Sequence, residues 1–307
     1  MRKYKGIEIE RVVFACLIPV LHISFSGTGI NIIRQYLSRL GVPFFFVVAG
    51  MFLAKSVEKK GEHEAFKAYA LKIGRMLLVW LIIYLPILVL RQEGITVQEI
   101  LFKTPAYLWY LTGLLVACVP FCLVKNRKAL FYASILLYVF GTIFSGSYKW
   151  LIGGFPAYEH VFLTTRNGIF FALPLMCFGE LSWSREKGSV LLLVLYGVAL
   201  LAEITFVGIH TTPLDDRSMY FCLPLFMHEF VILSRHWNPN INLKWLGGIS
   251  SAIYLMQFGI ITVVMKCGET IHILAPYIQI ITWVSTCIIP VALFLTLRKT
   301  KLVKVLF

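Results

Sequence analysis

Apolar runs that approach the thickness of a lipid bilayer recur along the whole chain, and this feature constrains the fold more than any other. A helix that crosses the hydrocarbon core needs about 20 largely apolar residues. We count ten such runs, at 12–27, 42–54, 76–90, 106–124, 129–145, 168–181, 190–207, 219–234, 249–265 and 278–297. Several are shorter than a full span, so we expect their helices to extend into polar flanks whose Lys and Arg side chains reach the headgroups. The sequence therefore predicts an all-α integral membrane protein with about ten transmembrane helices.

The composition supports a lipid environment and excludes several classes of soluble protein. Of the 307 residues, 59% are hydrophobic and 14% are charged, whereas a soluble domain carries about 25% charged residues. The seven cysteines are an odd number and lie mostly inside apolar runs, which argues against a disulfide framework. The chain also lacks a Walker A loop, a GxSxG elbow, an HExxH motif and a CxxC pair. Nucleotide hydrolysis, serine hydrolysis and zinc chemistry have no motif support, and we expect no metal.

The basic residues alternate between the two sides of the predicted helices, which orients the chain in the membrane. With the N-terminus inside, 21 of the 29 Lys and Arg residues fall in cytoplasmic segments, as the positive-inside rule requires. We therefore expect both termini in the cytoplasm and no nucleic-acid partner, because topology explains the net charge of +14. The longest polar stretch, about 55–75, is too short for a soluble domain. Residues 1–307 are predicted to form a single polytopic membrane domain.

Two ionisable residues at the first apolar run, Arg11 directly before it and His22 inside it, are the leading functional candidates, because such groups are costly inside a bilayer. At about 100° and 1.5 Å per residue, their spacing in a regular α-helix puts them on one face, roughly 16 Å apart. This suits a long anionic substrate such as an acyl-coenzyme A, with His22 as a general base. The alternative is a membrane anchor at Arg11 and a helix-end residue at His22. Pro19 fits either a kink that opens a cavity or an ordinary bend.

Carboxylates inside later runs are the next candidates. Glu203 and Glu229 fall in the seventh and eighth predicted spans, where each needs a basic partner or a proton. His228 and Arg235 lie close to Glu229 in the sequence. A structural ion pair and a proton-transfer role both fit this pattern.

Several stretches resemble the acyltransferase-3 family of integral membrane O-acyltransferases. Arg11 is followed after ten residues by His22, which resembles the R-x10-H signature of the first family helix. Residues 39–50 read RLGVPFFFVVAG and are similar to the family segment R-x-VPFFF-xx-SG. Lys72 and Arg75 match an R-x-x-R pair before the third helix, with Lys in the first place.

Three further stretches resemble one branch of this family, the membrane half of the vancomycin-resistance serine racemases. They are 108–111, 165–171 and 216–224. Together the matches run from residue 5 to about 257 in consistent order. Taken alone, Asp216 fits a solvated turn and Trp109 an interfacial aromatic belt, so the resemblance is what makes them site candidates.

The resemblance implies a fold, a donor and an acceptor. The fold is ten helices around a central cavity, in a bacterial cytoplasmic membrane. The donor is a cytoplasmic acyl-coenzyme A, in the first instance acetyl-coenzyme A, and the acceptor is a hydroxyl of a cell-envelope glycan or related molecule reached from outside. By the resemblance, His22 is the catalytic base, while Arg11, Lys72 and Arg75 bind the donor phosphates. The substrate-binding candidates are Arg39, Trp109, Arg166, Asn167, Asp216, Tyr220 and Gln257.

Two departures and two alternative functions accompany the resemblance. Gln257 and Tyr107 stand where many family members carry histidine, and a glutamine forms hydrogen bonds but cannot act as a base. The racemase branch is associated with serine supply, so the chain could instead be a membrane subunit that translocates serine or another small molecule. A non-catalytic family member is a third reading. We favour acyl transfer because Arg11 and His22 are both retained.

Overall fold

A computed structural model describes residues 4–25, 28–90, 96–102, 104–152, 164–212, 215–240, 245–270 and 277–307. Within these ranges the regular elements are all helical, which confirms the predicted all-α class. The α-helices are α1 Lys5–Leu17, α2 Thr28–Ile32, α3 Gly41–Lys60, α4 Glu62–Leu90, α5 Val97–Phe102, α6 Trp109–Leu123, α7 Arg127–Ile143, α8 Lys149–Ile152, α9 Leu173–Ser184, α10 Val190–His210, α11 Leu223–His236, α12 Leu246–Thr270, α13 Ile278–Leu297 and α14 Val303–Leu306.

Each of the ten apolar runs overlaps a helix, although Gly27, at the predicted end of the first run, lies outside the described residues. By length and composition, five helical segments in the described ranges could cross a membrane: Gly29–Lys60, Glu62–Leu90, Val190–His210, Leu246–Gly268 and Ile278–Leu297. Trp109–Leu123 and Gly168–Ser184 are shorter apolar helices. These helices are compatible with a membrane protein.

The chain divides into two compact units. The first contains Met1–Val42, Arg75–Gly94 and Trp237–Phe307, and the second contains Pro43–Gly74 and Ile95–His236. In the first unit, α13 lies against α12, where Gly248 leaves room for the ring of Phe294. The indole N–H of Trp283 donates to the carbonyl of Cys16 at 2.8 Å and ties α13 to α1.

The first helix does not continue regularly to His22. α1 ends at Leu17, and a 3₁₀ turn, Ile18–Leu21, separates it from His22. The cause is Pro19, which has no backbone N–H to donate and whose ring clashes with the preceding helical turn. A 3₁₀ turn advances about 120° per residue rather than 100°, so the regular α-helical spacing between Arg11 and His22 does not hold across it. The kink or bend that Pro19 predicts thus takes the form of this 3₁₀ turn. The common face of Arg11 and His22 assumed regular α-helical spacing, which the chain keeps only as far as Leu17.

A close crossing of α3 and α9 organises the second unit. A Cβ atom added at Gly50 would collide with the backbone of Met176, and one added at Gly179 would collide with the backbone of Val47. The two helices thus touch backbone to backbone, which small residues at both positions make possible. Around this crossing lies an aromatic cluster in which the Phe46 ring is 4.7 Å from that of Tyr110.

Carboxylates on the apolar helices of the second unit have structural partners. Glu203, on α10, accepts hydrogen bonds from the Tyr148 hydroxyl and from the backbone N–H groups of Phe221 and Cys222, just before α11 begins. It therefore caps the positive end of α11. Glu180, on α9, pairs with Arg127.

Glu229 pairs across helices rather than with its sequence neighbours. Its side chain is 1% exposed and accepts hydrogen bonds from Arg185 and from the backbone N–H of Ser189 at 2.8 Å. His228 instead hydrogen-bonds through Nδ1 to the Ser182 hydroxyl at 2.8 Å. Arg235 donates to backbone carbonyls at the end of α9. Of the two readings of Glu229, the structure supports the ion pair.

Replacing Glu229 with Gln is expected to lower stability by about 1–3 kcal/mol, because a charge-assisted hydrogen bond to a buried group is lost. Thermal unfolding of the detergent-purified protein measures this. Glu58→Gln is the matched control, since Glu58 accepts a hydrogen bond from Trp183 at an exposed site. Equal losses in the two variants would contradict the structural role of Glu229.

Candidate functional site

In the first unit, Arg11 lies where α1 meets the first turn of α12. Its guanidinium donates to Glu8 Oε1 at 3.2 Å and to the carbonyl of Gly247 at 3.5 Å. A Cβ atom at residue 247 would lie 2.7 Å from Glu8 Oε2 and 2.9 Å from Arg11 Nη1, so a larger residue there would displace the ends of these two side chains. The Arg11 side chain is 23% exposed and remains accessible to a ligand.

The charges around Arg11 partly compensate one another. Glu8 neutralises the guanidinium in the pair, whereas the N-terminus of α12 contributes the positive end of a helix dipole. The hydroxyls of Ser250 and Ser251 both donate to the Gly247 carbonyl, at 2.9 and 3.0 Å. A phosphate bound to the guanidinium would lie beside the first turn of α12, whose N-terminus favours an anion, and beside the Glu8 carboxylate, which opposes it. Sequence reasoning missed Glu8 and Gly247, although the Glu8–Arg11 spacing of one helical turn is a readable signal.

His22 follows the 3₁₀ turn in the same unit. It is half-buried, and its backbone N–H donates to the Pro19 carbonyl at 2.9 Å. Arg39 lies in a second 3₁₀ turn, Ser38–Leu40, which contacts the turn before His22. The structure therefore brings together the short turns that carry these two predicted residues.

The predicted donor-binding pair Lys72 and Arg75 lies on α4. The two residues are one helical turn apart, and both side chains are exposed. Lys72 belongs to the second unit and Arg75 to the first. Their binding role stays a prediction.

In the second unit, three of the predicted substrate-binding residues meet around Arg166. Its guanidinium lies 4.8 Å from the centroid of the Trp109 ring, and its Nε is 3.5 Å from Asp216 Oδ2. Nη1 donates to the Ser218 hydroxyl at 3.3 Å, and that hydroxyl donates to Asp216. The side chains of Arg166 and Asp216 are 35% and 33% exposed, so the Arg166 cluster, namely Trp109, Arg166, Asp216 and Ser218, is open to a ligand. Sequence reasoning missed Ser218.

The backbone on both sides of the Arg166 cluster is held in place. Asn167 caps the helical turn that follows it, because Oδ1 accepts from the N–H groups of Ile169 and Phe170 while Nδ2 donates to the Thr164 carbonyl. Before Trp109, Ala106 and Tyr107 have φ angles of 56° and 60°. This left-handed conformation is strained for residues with side chains, and such strain concentrates at functional sites.

Asn167 and Tyr220 lie close to the Arg166 cluster in sequence, and both side chains are buried. Tyr220 is 1% exposed, and its carbonyl accepts a hydrogen bond from the Tyr138 hydroxyl at 2.9 Å. The Asn167 side chain is 1% exposed and committed to capping. Their substrate-binding roles stay predictions, and the contacts seen here are positioning contacts.

The loop that supplies Asp216 is shaped by its two neighbours. Asp215 accepts hydrogen bonds from the backbone N–H and the hydroxyl of Thr212, at 2.7 and 2.9 Å, and these hold the pKa of its carboxyl below the ordinary value. Arg217 donates to the carbonyls of Thr211 and Thr212 at the end of α10. Of these three consecutive charged residues, Asp216 is the one that joins the Arg166 cluster.

A comparison with protein families decides the class of the chain. A family model described as an acyltransferase domain matches residues 4–298. The chain belongs to the acyltransferase-3 family. All of the motifs that carried the resemblance, from Arg11 to Gln257, fall inside the matched range. The membrane-bound type of acyltransferase predicted from the sequence is supported.

Curated relatives of this acyltransferase-3 protein include racemases from enterococci. A serine/alanine racemase of Enterococcus gallinarum is 27% identical over 286 residues, which cover 83% of this chain and 40% of the relative. Two amino-acid racemases of Enterococcus faecalis are 34% and 24% identical, over 55% and 97% of this chain and over 26% and 46% of their own lengths. The chain therefore spans less than half the length of these relatives. No solved structure matches it significantly.

Proposed function

We propose that this protein transfers an acyl group, acetyl in the simplest case, from cytoplasmic acyl-coenzyme A to a hydroxyl of a cell-envelope glycan or related acceptor. The observation that carries the proposal is the partly exposed Arg11 guanidinium beside the first turn of α12, since a guanidinium near the positive end of a helix suits a phosphate. Membership in an acyltransferase family supports the reaction class. Lys72 and Arg75 are proposed to assist in holding the donor phosphates.

The proposal includes a topology. We propose about ten spans around a central cavity in the bacterial cytoplasmic membrane, with both termini cytoplasmic, because 21 of 29 basic residues then face the cytoplasm. Arg11 then lies near the cytoplasmic mouth and His22 deeper in the membrane. The anionic donor is attracted to the basic face.

His22 is proposed as the general base of the transfer. The acceptor hydroxyl attacks the thioester carbonyl and gives its proton to the imidazole. A carbon–oxygen bond forms as the carbon–sulfur bond breaks, and the departing coenzyme A thiolate takes the proton from the imidazolium. Each proton and electron pair is thereby accounted for without a metal.

Recognition of the acceptor is proposed for the Arg166 cluster in the second unit. A partly exposed guanidinium, a carboxylate and an indole ring offer hydrogen-bond donors, acceptors and a flat apolar face, which is the combination that a sugar requires. Arg39, Asn167 and Tyr220 are proposed to support acceptor binding. Their contribution is either direct contact or positioning of the neighbouring backbone.

Translocation of serine or another amino acid is the second candidate function, and one observation favours it. The Arg166–Asp216 pair presents a guanidinium and a carboxylate side by side, which matches the carboxylate and ammonium groups of a zwitterion. Relatives whose names are amino-acid racemases agree with such a ligand. In this alternative Arg11 is a topology anchor.

Ligand-dependent unfolding separates the two functions. We expect acetyl-coenzyme A to raise the unfolding temperature of the wild type, because a ligand that binds only the folded state stabilises it by about 2.7 kcal/mol at a hundred times its dissociation constant. Arg11→Gln should lose most of this shift. The matched control Lys59→Gln, at the exposed end of α3, should keep it.

The same unfolding measurements can contradict either of the two candidate functions. A shift with serine and none with acetyl-coenzyme A would favour translocation. An acetyl-coenzyme A shift that Arg11→Gln retains in full would remove Arg11 from the donor site. Raising the ionic strength should weaken the wild-type shift if exposed phosphates are bound.

A further inference from the structure

Gln257 is a buried polar side chain without a protein partner. It lies on α12, is 1% exposed, and neither its Oε1 nor its Nε2 forms a hydrogen bond within the described part of the chain. Ile253 and Ile261, one turn away on either side of the same helical face, are 0% and 7% exposed. The carboxamide therefore lies in an apolar, buried face of the helix. Buried amides are almost always hydrogen-bonded, so this one requires an explanation.

Local packing does satisfy another polar group on the same helix. Tyr84 of α4 is 3% exposed, and its hydroxyl donates to the Leu255 carbonyl at 2.5 Å and accepts from the Gly259 N–H at 3.4 Å. These two backbone groups lie two residues before and two residues after Gln257. The protein thus supplies partners to a hydroxyl at this level of α12 while leaving the carboxamide without one.

The position of Gln257 relates it to the Arg11 contact. Gly247, whose carbonyl accepts from Arg11, precedes Gln257 by ten residues on the same helix. In an α-helix this spacing is about 15 Å. A ligand whose phosphates lie at Arg11 would therefore present its uncharged portion, rather than its phosphates, at the level of Gln257.

We propose that the Gln257 carboxamide binds an uncharged hydroxyl or amide group of a ligand and acts as a specificity-determining residue of the transfer site. The inference rests on the proposed function. A carboxamide offers one acceptor and two donors without charge, so it matches a neutral partner and cannot compensate a buried ion. Two sources carry this chemistry: the amides of the pantetheine arm of the donor, and the hydroxyl acceptor.

The first test uses the protein without ligand. Gln257→Met keeps the length of the side chain and removes its polar atoms, and Ile261→Met is the matched control for placing methionine on this face. We expect the unfolding temperature of Gln257→Met to equal or exceed that of the wild type, because an unpartnered amide is removed. A fall larger than that of Ile261→Met would show that the amide has a structural partner, and would overturn the proposal.

The second test measures ligand-induced shifts in unfolding temperature with acetyl-coenzyme A, with pantetheine and with serine. Gln257→Met should bind the probe that contacts the carboxamide at least tenfold more weakly, which corresponds to about 1.4 kcal/mol. Ile261→Met should bind this probe as the wild type does. Loss of the pantetheine shift assigns the group to the donor arm. An unchanged donor shift with at least a tenfold rise in the acceptor KM assigns it to the acceptor.

The proposal and the proposed function fail in different ways. Wild-type protein that responds to serine but not to acetyl-coenzyme A would contradict acyl transfer, and Gln257→Met would then be judged by its serine shift. If no probe shifts the unfolding temperature of the wild type, the proposal is judged by the stability of Gln257→Met alone. A stability equal to or above that of the wild type supports it, and a fall larger than that of Ile261→Met overturns it. Full retention of every wild-type shift and KM in Gln257→Met would overturn the assignment of Gln257.

Discussion

Replacing His22 with Ala is expected to reduce acyl transfer by about 100-fold or more, because a positioned general base contributes roughly 10²–10⁴-fold to such reactions. The protein should remain folded, since His22 is only half-buried and follows a turn that Pro19 has already formed. Transfer of label from radioactive acetyl-coenzyme A to envelope material in membranes that contain the protein measures the effect. Donor binding, read from the shift in unfolding temperature, should be unchanged.

His63→Ala is the matched control for this substitution. His63 is an exposed histidine in the first turn of α4, and its loss should leave transfer unchanged. Full transfer by His22→Ala would remove His22 as the base. Loss of both transfer and donor binding would instead indicate that His22 supports the fold or the donor site.

Replacing Gly179 with Ala is expected to cause the largest loss of stability. The added methyl group would overlap the backbone of Val47. A backbone atom cannot move away by a change of rotamer as a side chain can. Overpacking costs about 1–3 kcal/mol even where side chains adjust, so separating α3 from α9 should cost more. We expect a fall in unfolding temperature of roughly 10 °C, from about 2–4 °C per kcal/mol, or failure of the protein to accumulate.

Gly197→Ala on α10 is the control for this second prediction. A Cβ atom there would lie 3.4 Å from the Phe226 ring, which is an ordinary contact. Alanine also favours a helix over glycine, so stability should be unchanged or slightly higher. Fluorescence-detected size-exclusion chromatography and thermal unfolding in detergent provide the readouts. Equal behaviour of the two variants would contradict the close crossing of α3 and α9.

The sequence predicts the helical class well because each apolar run is a local signal. The residue at which each helix ends, and the residues with which its side chains pair, depend on contacts with distant parts of the chain. Pro19 predicts a bend or a kink, but the 3₁₀ turn Ile18–Leu21 that forms there depends on packing that no periodicity describes. The sequence offers His228 and Arg235 as neighbours of Glu229, yet residues one and six positions apart on a helix do not face each other. Its actual partner, Arg185, comes from a different part of the chain.

The site residues show the same division between local and distant information. The link between Arg11 and Glu8 follows from helical spacing and could have been read from the sequence. The meeting of Arg166 with Trp109 and Asp216 joins residues about 50 positions apart on either side, and only the folded chain reveals it. The family resemblance selected these residues without giving a reason for their proximity, and the contacts supply that reason.

The crossing of α3 and α9 also limits how the sequence of this unit can change over time. A steric clash is usually relieved when an enlarged residue is followed by a smaller one opposite it. Gly50 and Gly179 already lack side chains, and each faces main-chain atoms. Neither can therefore be replaced by a smaller residue when the other is replaced by a larger one. No second substitution can therefore rescue the first. Relatives that keep this crossing must retain the smallest residues at both positions.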